Sequence, residues 1–131
     1  MIHEEICTYE VAKLAKERGF PQDVFGTCEM KSSCYLEDGR YYKDGCIYPI
    51  ENAYTAPTQS LLQRWLREEK DIHISIDYQQ GVDEACPSYD YSVYRWPINT
   101  EAFVQEAWKD GYTTYELALE DALAYSLKNL G

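Results

Sequence analysis

"DIHISIDYQQGVDEACPSYDYSVYRWP", residues 71–97, decides the fold class. At its start Ile72, Ile74, Ile76 and Tyr78 alternate strictly with His73, Ser75 and Asp77. That is the period of a strand with one buried face. The polar connection "QQGVDEACPS" (79–88) leads into "YDYSVYRWP" (89–97), a second alternating, aromatic-rich run that Pro97 closes. Two such runs joined by an acidic loop predict an antiparallel hairpin over 72–96.

Upstream stands "YTAPTQSLLQRWLRE" (54–68). Pro57 fits a first helical turn, where its missing N–H removes no bond, and Thr55 or Thr58 can cap nearby donors. Leu61, Leu62, Trp65 and Leu66 share one arc of the helix and predict its core face. Ser60, Gln63, Arg64, Arg67 and Glu68 fill the other. Gln63, Arg64 and Arg67 make a small basic spot on an acidic chain. Glu68 and Glu69 within reach read it as a solvated, salt-bridged surface, with contact to nucleic acid, a phosphate or an acidic partner as the alternative.

Further upstream, "RYYKDGCIYPI" (40–50) places Asp44 and Gly45 between strand-favouring Tyr41, Tyr42, Ile47 and Tyr48, which predicts a second hairpin. Residues 22–39 show neither helical nor strand period and are expected to be a long connection with little regular structure. Thr8 caps a predicted first helix, "YEVAKLAKERG" (9–19), and Gly19 ends it.

Downstream of the central run, "TEAFVQEAWK" (100–109) spaces Phe103, Ala107 and Trp108 for a short helix that Gly111 stops. "GYTTYELALEDALAYSLKNLG" (111–131) carries the capping-box pattern Thr113 to Glu116 and the staple spacing Tyr112 to Leu117. Its apolar side holds Tyr115, Ala118, Leu119, Ala122, Leu123, Ser126 and Leu130. The order α-β-β-α-β-β-(α)-α predicts a single two-layer α+β domain over 1–131, an antiparallel sheet of two hairpins with three or four helices on one face.

At 131 residues, with 45% apolar and 27% charged residues, the composition is that of a globular chain and disfavours disordered and membrane classes. The start, "MIHEEICTYE", is acidic where a signal peptide needs a basic region and an apolar run, so the expected location is the cytoplasm. A net charge of −11 opposes phosphate backbones and anionic membranes, which makes nucleic acid an unfavourable ligand. The same acidity admits a decoy that imitates DNA.

Five cysteines, an odd number with no C-x-x-C pair, read as thiols rather than a disulfide framework or a zinc site. No nucleotide, zinc-protease or nucleophile-elbow motif occurs, so no metal and no cofactor is expected. His73, Ser75 and Asp77 hold the residue types of a hydrolase triad. On one strand they are spaced ~7 Å apart, too far for a nucleophile to meet its base. Asp83, Glu84 and Asp90 lack the spacing of a calcium loop.

Thirteen tyrosines and three tryptophans are the compositional excess. Tyr89, Tyr91 and Val93 are expected on one side of their strand, with Tyr94 and Trp96 on the other. Aromatic surface with polar tips suits protein contacts. The interaction patch read from sequence is therefore Tyr91, Tyr94 and Trp96, with Arg64 and Arg67 as a second candidate.

"YTAPTQSLLQRWLREEKDIHISI" and "GYTTYELALEDALAYSLKNL" resemble a family of short uncharacterised proteins from Bacteroides-group bacteria, their phages and mobile elements. That family shares a Y-x-A-P-T-Q-x-x-L-x-x-W-L-R-E core and a Y-E-x-A-L-E ending. The match covers about a third of the chain and implies origin, not mechanism. The resulting expectation is a non-enzymatic protein-interaction module whose partner is a protein, with homo-oligomerisation left open. Its alternatives are an acidic DNA mimic that inhibits a nucleic-acid-binding protein, and a small enzyme built around His73 with Asp77, Cys46 or Cys86.

Overall fold

The computed structural model describes residues 5–22, 24–25, 29–30, 32–43, 45–47, 53–80, 87–95 and 104–130. The fold is α+β with antiparallel sheets, as the order of elements predicts. By contact the chain forms two compact units, Met1–Thr58 and Gln59–Gly131.

The first unit opens with α1 (Tyr9–Glu17), capped by the Thr8 hydroxyl, which accepts from the Val11 N–H. Gly19, at φ +96°, ends it. The Gly19 N–H donates to Lys16 O and the Phe20 N–H to Ala15 O, the paired bonds of a Schellman cap. Val11, Ala12 and Ala15 form the buried stripe, and α1 packs against β6.

Six short strands follow: β1 (Val24–Phe25), β2 (Glu29–Met30), β3 (Cys34–Leu36), β4 (Tyr41–Tyr42), β5 (Cys46–Ile47) and β6 (Ala53–Thr55). They form two three-stranded sheets in the orders β1-β2-β5 and β4-β3-β6. Two expectations are corrected here. Residues 22–39 carry three strands and are not an irregular connection. Tyr41–Tyr42 and Cys46–Ile47 are strands as expected, but β4 pairs with β3 and β5 with β2, not with each other.

The turn that counts is therefore the earlier Asp-Gly, Asp38–Gly39. Gly39 sits at φ +91° and Asp38 receives the Arg40 N–H at 3.1 Å and its guanidinium at 2.7 Å. The choice follows from burial: β3 brings Cys34 and Leu36 into a small core with Ala53, and Tyr42 packs on it. Asp44 lies outside the described residues.

The second unit holds α2 (Gln59–Lys70), β7 (Ile72–Gln80), β8 (Pro87–Arg95), β9 (Val104–Tyr112) and α3 (Tyr115–Asn129). β7, β8 and β9 form an antiparallel meander. The hairpin expected over 72–96 is present, with its strands extending into the predicted loop as far as Gln80 and Pro87. Residues 104–109, expected as part of a short helix, are instead strand. Pairing along β8 supplies β9 with a ladder that a short isolated helix has no equal for. Gly111, read as a helix stop, sits at φ +91° where β9 bulges between the pairs Lys109–Tyr91 and Tyr112–Tyr89.

α3 lies across all three strands, and α2 lies against β7 and α3. Ala118, Leu119, Ala122, Leu123, Ser126 and Leu127 are buried, and the Ser126 hydroxyl is satisfied by Ala122 O at 2.8 Å. The cap is Thr114 and not Thr113: its hydroxyl accepts from the Leu117 N–H at 3.1 Å. Leu117 is exposed and Tyr112 is bonded elsewhere, so the predicted staple does not form.

The buried face of α2 is also turned from the expected one. Leu62 and Leu66 are fully buried, but Leu61 is exposed and Gln59 is buried in its stead. A buried amide is tolerated because it donates to Glu116 O and Glu120 Oε1, both at 3.0 Å. Gln63, assigned from sequence to the solvent side, donates to Ile74 O at 3.0 Å and so ties α2 to the edge strand β7.

Candidate functional site

Residues paired across β7 and β8 share a face, which sorts the candidate side chains. One face carries Ile72–Arg95, Ile74–Val93, Ile76–Tyr91 and Tyr78–Tyr89; the other carries His73–Tyr94, Ser75–Ser92 and Asp77–Asp90. The Tyr89 ring meets Tyr115 of α3, so the first face is the one α3 covers.

Coverage is uneven. Along β7, Ile72 is buried, Ile74 and Ile76 are half-buried, and Tyr78 is exposed. α3 begins at Tyr115, beside Tyr89, and reaches Tyr112 through Asp121 and Glu106 through Tyr125. At the Tyr78 end of the sheet the residue that α3 presents, Tyr115, is itself exposed. The result is an aromatic strip. Tyr78 and Tyr89 meet edge to face at 5.3 Å, and Tyr89 and Tyr115 at 6.3 Å. Tyr78 is 57% exposed and Tyr115 42%, with Tyr89 half-buried between them.

Behind the strip lies a polar junction. The Tyr112 hydroxyl donates to Asp121 Oδ2, and Lys109 Nζ stands 3.6 Å from the same oxygen. Burial, with the Asp121 carboxylate next, raises the Tyr112 phenol well above its ordinary value of 10.0. The neighbouring Tyr91 is raised by burial and then by Asp121 and Tyr125. Phenols held neutral donate hydrogen bonds and are poor bases, so this junction fastens α3 to β9.

Two members of the patch read from sequence, Tyr91 and Tyr94, do not share a face. Tyr91 is 5% exposed and meets Tyr112 as a tilted ring pair at 5.9 Å, on the face beneath α3. It is a core residue, because alternation places it with Val93. Tyr94 is half-buried on the opposite face, across from His73. Trp96 lies outside the described residues. Arg64 is exposed and paired with Glu68 at 3.0 Å, the solvated arrangement that Glu68 implies, and Arg67 is exposed beside it.

Sequence reasoning missed Tyr78 and Tyr115 as surface residues because both fall on apolar faces by period. The available signal was position: each sits at an element's end, where the covering partner runs out.

Ser75 donates to Asp77 Oδ2 at 3.5 Å, closer than strand spacing alone suggests. The contact joins nucleophile to acid, whereas a hydrolase triad places the histidine between them. His73 stands at the other end of the row. Cys86 and the Cys46 side chain lie outside the described residues; Cys7 and Cys34 are buried thiols. Among the described residues no three of His, Cys, Asp and Glu gather as metal ligands, and no helix is long and apolar enough to cross a membrane. Asp38, Glu68, Glu106 and Asp121 each pair with a cation, which shrinks the negative surface a DNA mimic needs.

No family model, curated protein or solved structure matches this chain.

Proposed function

We propose that this chain is a small protein-interaction module, of phage or mobile-element origin, that acts by contact and not by catalysis. The observation that carries the reading is the exposed Tyr78–Tyr89–Tyr115 strip. Rings that bury large area with few rotatable bonds are the usual anchors of protein contacts, and their hydroxyls keep the free surface soluble. The origin rests on the resemblance of residues 54–76 and 111–130, and a cytoplasmic location is part of the same proposal.

The test is a pull-down with the intact chain from a lysate of the host group. Wild type is expected to retain a stoichiometric protein that the Tyr78→Ala, Tyr115→Ala variant loses. A Tyr94→Ala variant, altered on the other sheet face, is expected to keep it. Identical recoveries from wild type and the double variant sink the assignment of the strip.

A further inference from the structure

We propose that the Tyr78–Tyr89–Tyr115 strip receives an arginine-bearing, basic segment of its protein partner. This rests on the interaction-module reading and names the chemistry of the contact. Charge on the sheet points one way. Its two cations among the described residues, Arg95 and Lys109, are already engaged by Glu106 at 3.7 Å and Asp121 at 3.6 Å. Glu116, next in the chain to Tyr115, is exposed and, among the described residues, in no ion pair. Asp77 and Asp110 are exposed as well, Asp77 on the opposite face of the sheet with Asp90, and both add to the negative field around it. A cation approaching the rings therefore meets Glu116 within the field of a chain at −11, and the sheet's own cations are already paired.

The rings supply the second half. In an edge-to-face pair a ring gives up at most one of its two faces. Tyr78 and Tyr115, at the ends of the strip, are 57% and 42% exposed and keep π surface for a ligand. A cation over a tyrosine face is attracted by the ring quadrupole, and guanidinium stacks better than ammonium because it is planar and more weakly hydrated. The molecule already uses this contact internally: Lys109 Nζ lies 5.7 Å from the Tyr112 ring centroid and Lys70 Nζ 5.6 Å from that of Trp65. A second copy of this chain, itself at −11, is repelled, and so is a phosphate backbone.

The experiment is an NMR titration of the full chain, tyrosine rings labelled, with hexa-arginine and with hexa-lysine at equal ionic strength. The Tyr78 and Tyr115 resonances are expected to move first, with hexa-arginine binding about threefold tighter than hexa-lysine. The Tyr78→Leu, Tyr115→Leu variant is expected to lose that preference while its thermal midpoint stays near wild type. Mapping on wild type alone decides the matter if the variant fails to fold.

Equal affinities for the two peptides, or shifts centred away from the strip, overturn the proposal. So does self-association that the variant abolishes, or a single-stranded oligonucleotide that moves the same resonances. A lysate partner lost by the double variant but docking through an acidic surface overturns the arginine assignment and leaves the module reading intact. Loss of no partner, with no peptide preference, overturns both.

Discussion

Tyr112 shows how one side chain can hold two elements together. Its hydroxyl reaches from β9 to Asp121 on α3, and burial with that carboxylate keeps the phenol protonated. An unfolded chain releases this proton near the ordinary value of 10.0, whereas the folded chain retains it. The contribution is thus complete below pH 10 and is lost as the pH rises from there toward the folded value. Urea midpoints measured between about pH 9 and pH 11 should fall steeply for wild type and less steeply for Tyr112→Phe. Equal slopes would mean that folding does not raise the Tyr112 phenol. Burial separates Leu61 from Leu62 as sharply. Leu62→Ala should cost about 3 kcal/mol in equilibrium unfolding, since the site is fully buried, and Leu61→Ala under about 0.5 kcal/mol. A similar cost for both would restore the face that helical periodicity predicts.

The helices show which local signals hold and which are displaced. For α1 the cap at Thr8 and the stop at Gly19 are legible in the sequence, because both act on backbone groups within a few residues. For α3 the same logic is off by one: Thr113 and Thr114 are chemically identical caps, and the link from Tyr112 to Asp121 accompanies the later start. Thr114→Ala should lower stability by about 1 kcal/mol and Thr113→Ala by a few tenths at most; the reverse ranking in chemical denaturation would assign the cap to Thr113. The junction of α2 and β7 carries a further signature. Asp71 follows the helix at φ +54°, in the left-handed region that glycine occupies without strain. Asp71→Gly should raise the unfolding free energy by about 0.5–1 kcal/mol, and a drop instead would show that the Asp71 side chain contributes more than its backbone strain removes. β9 is the element that local reading cannot find. Its residues space equally well for a short helix, and only the ladder offered by β8 makes them a strand.

Across the whole chain the dominant quantity is a net charge of −11 at neutral pH. Its exposed ion pairs, Arg40–Asp38 and Arg64–Glu68, offset little of the resulting self-repulsion. Raising monovalent salt from about 0.02 to 0.2 M should therefore raise the thermal midpoint, and a fall would show that attractive pairs outweigh the repulsion. The sequence alone settled whatever rests on charge and on short-range periodicity: the acidic character, the three long helical segments, the β7–β8 hairpin and the α+β class. These depend on neighbours within a turn or a two-residue alternation, so the chain states them locally. Only the tertiary structure decided the partners of β4 and β5, the identity of β9, the rotation of α2 and the burial of Tyr91. It also decided that Tyr78 and Tyr115, apolar-face residues by pattern, stand at the surface. Each of these depends on where a covering element ends or which distant strand offers a ladder, and no local window of the chain encodes that.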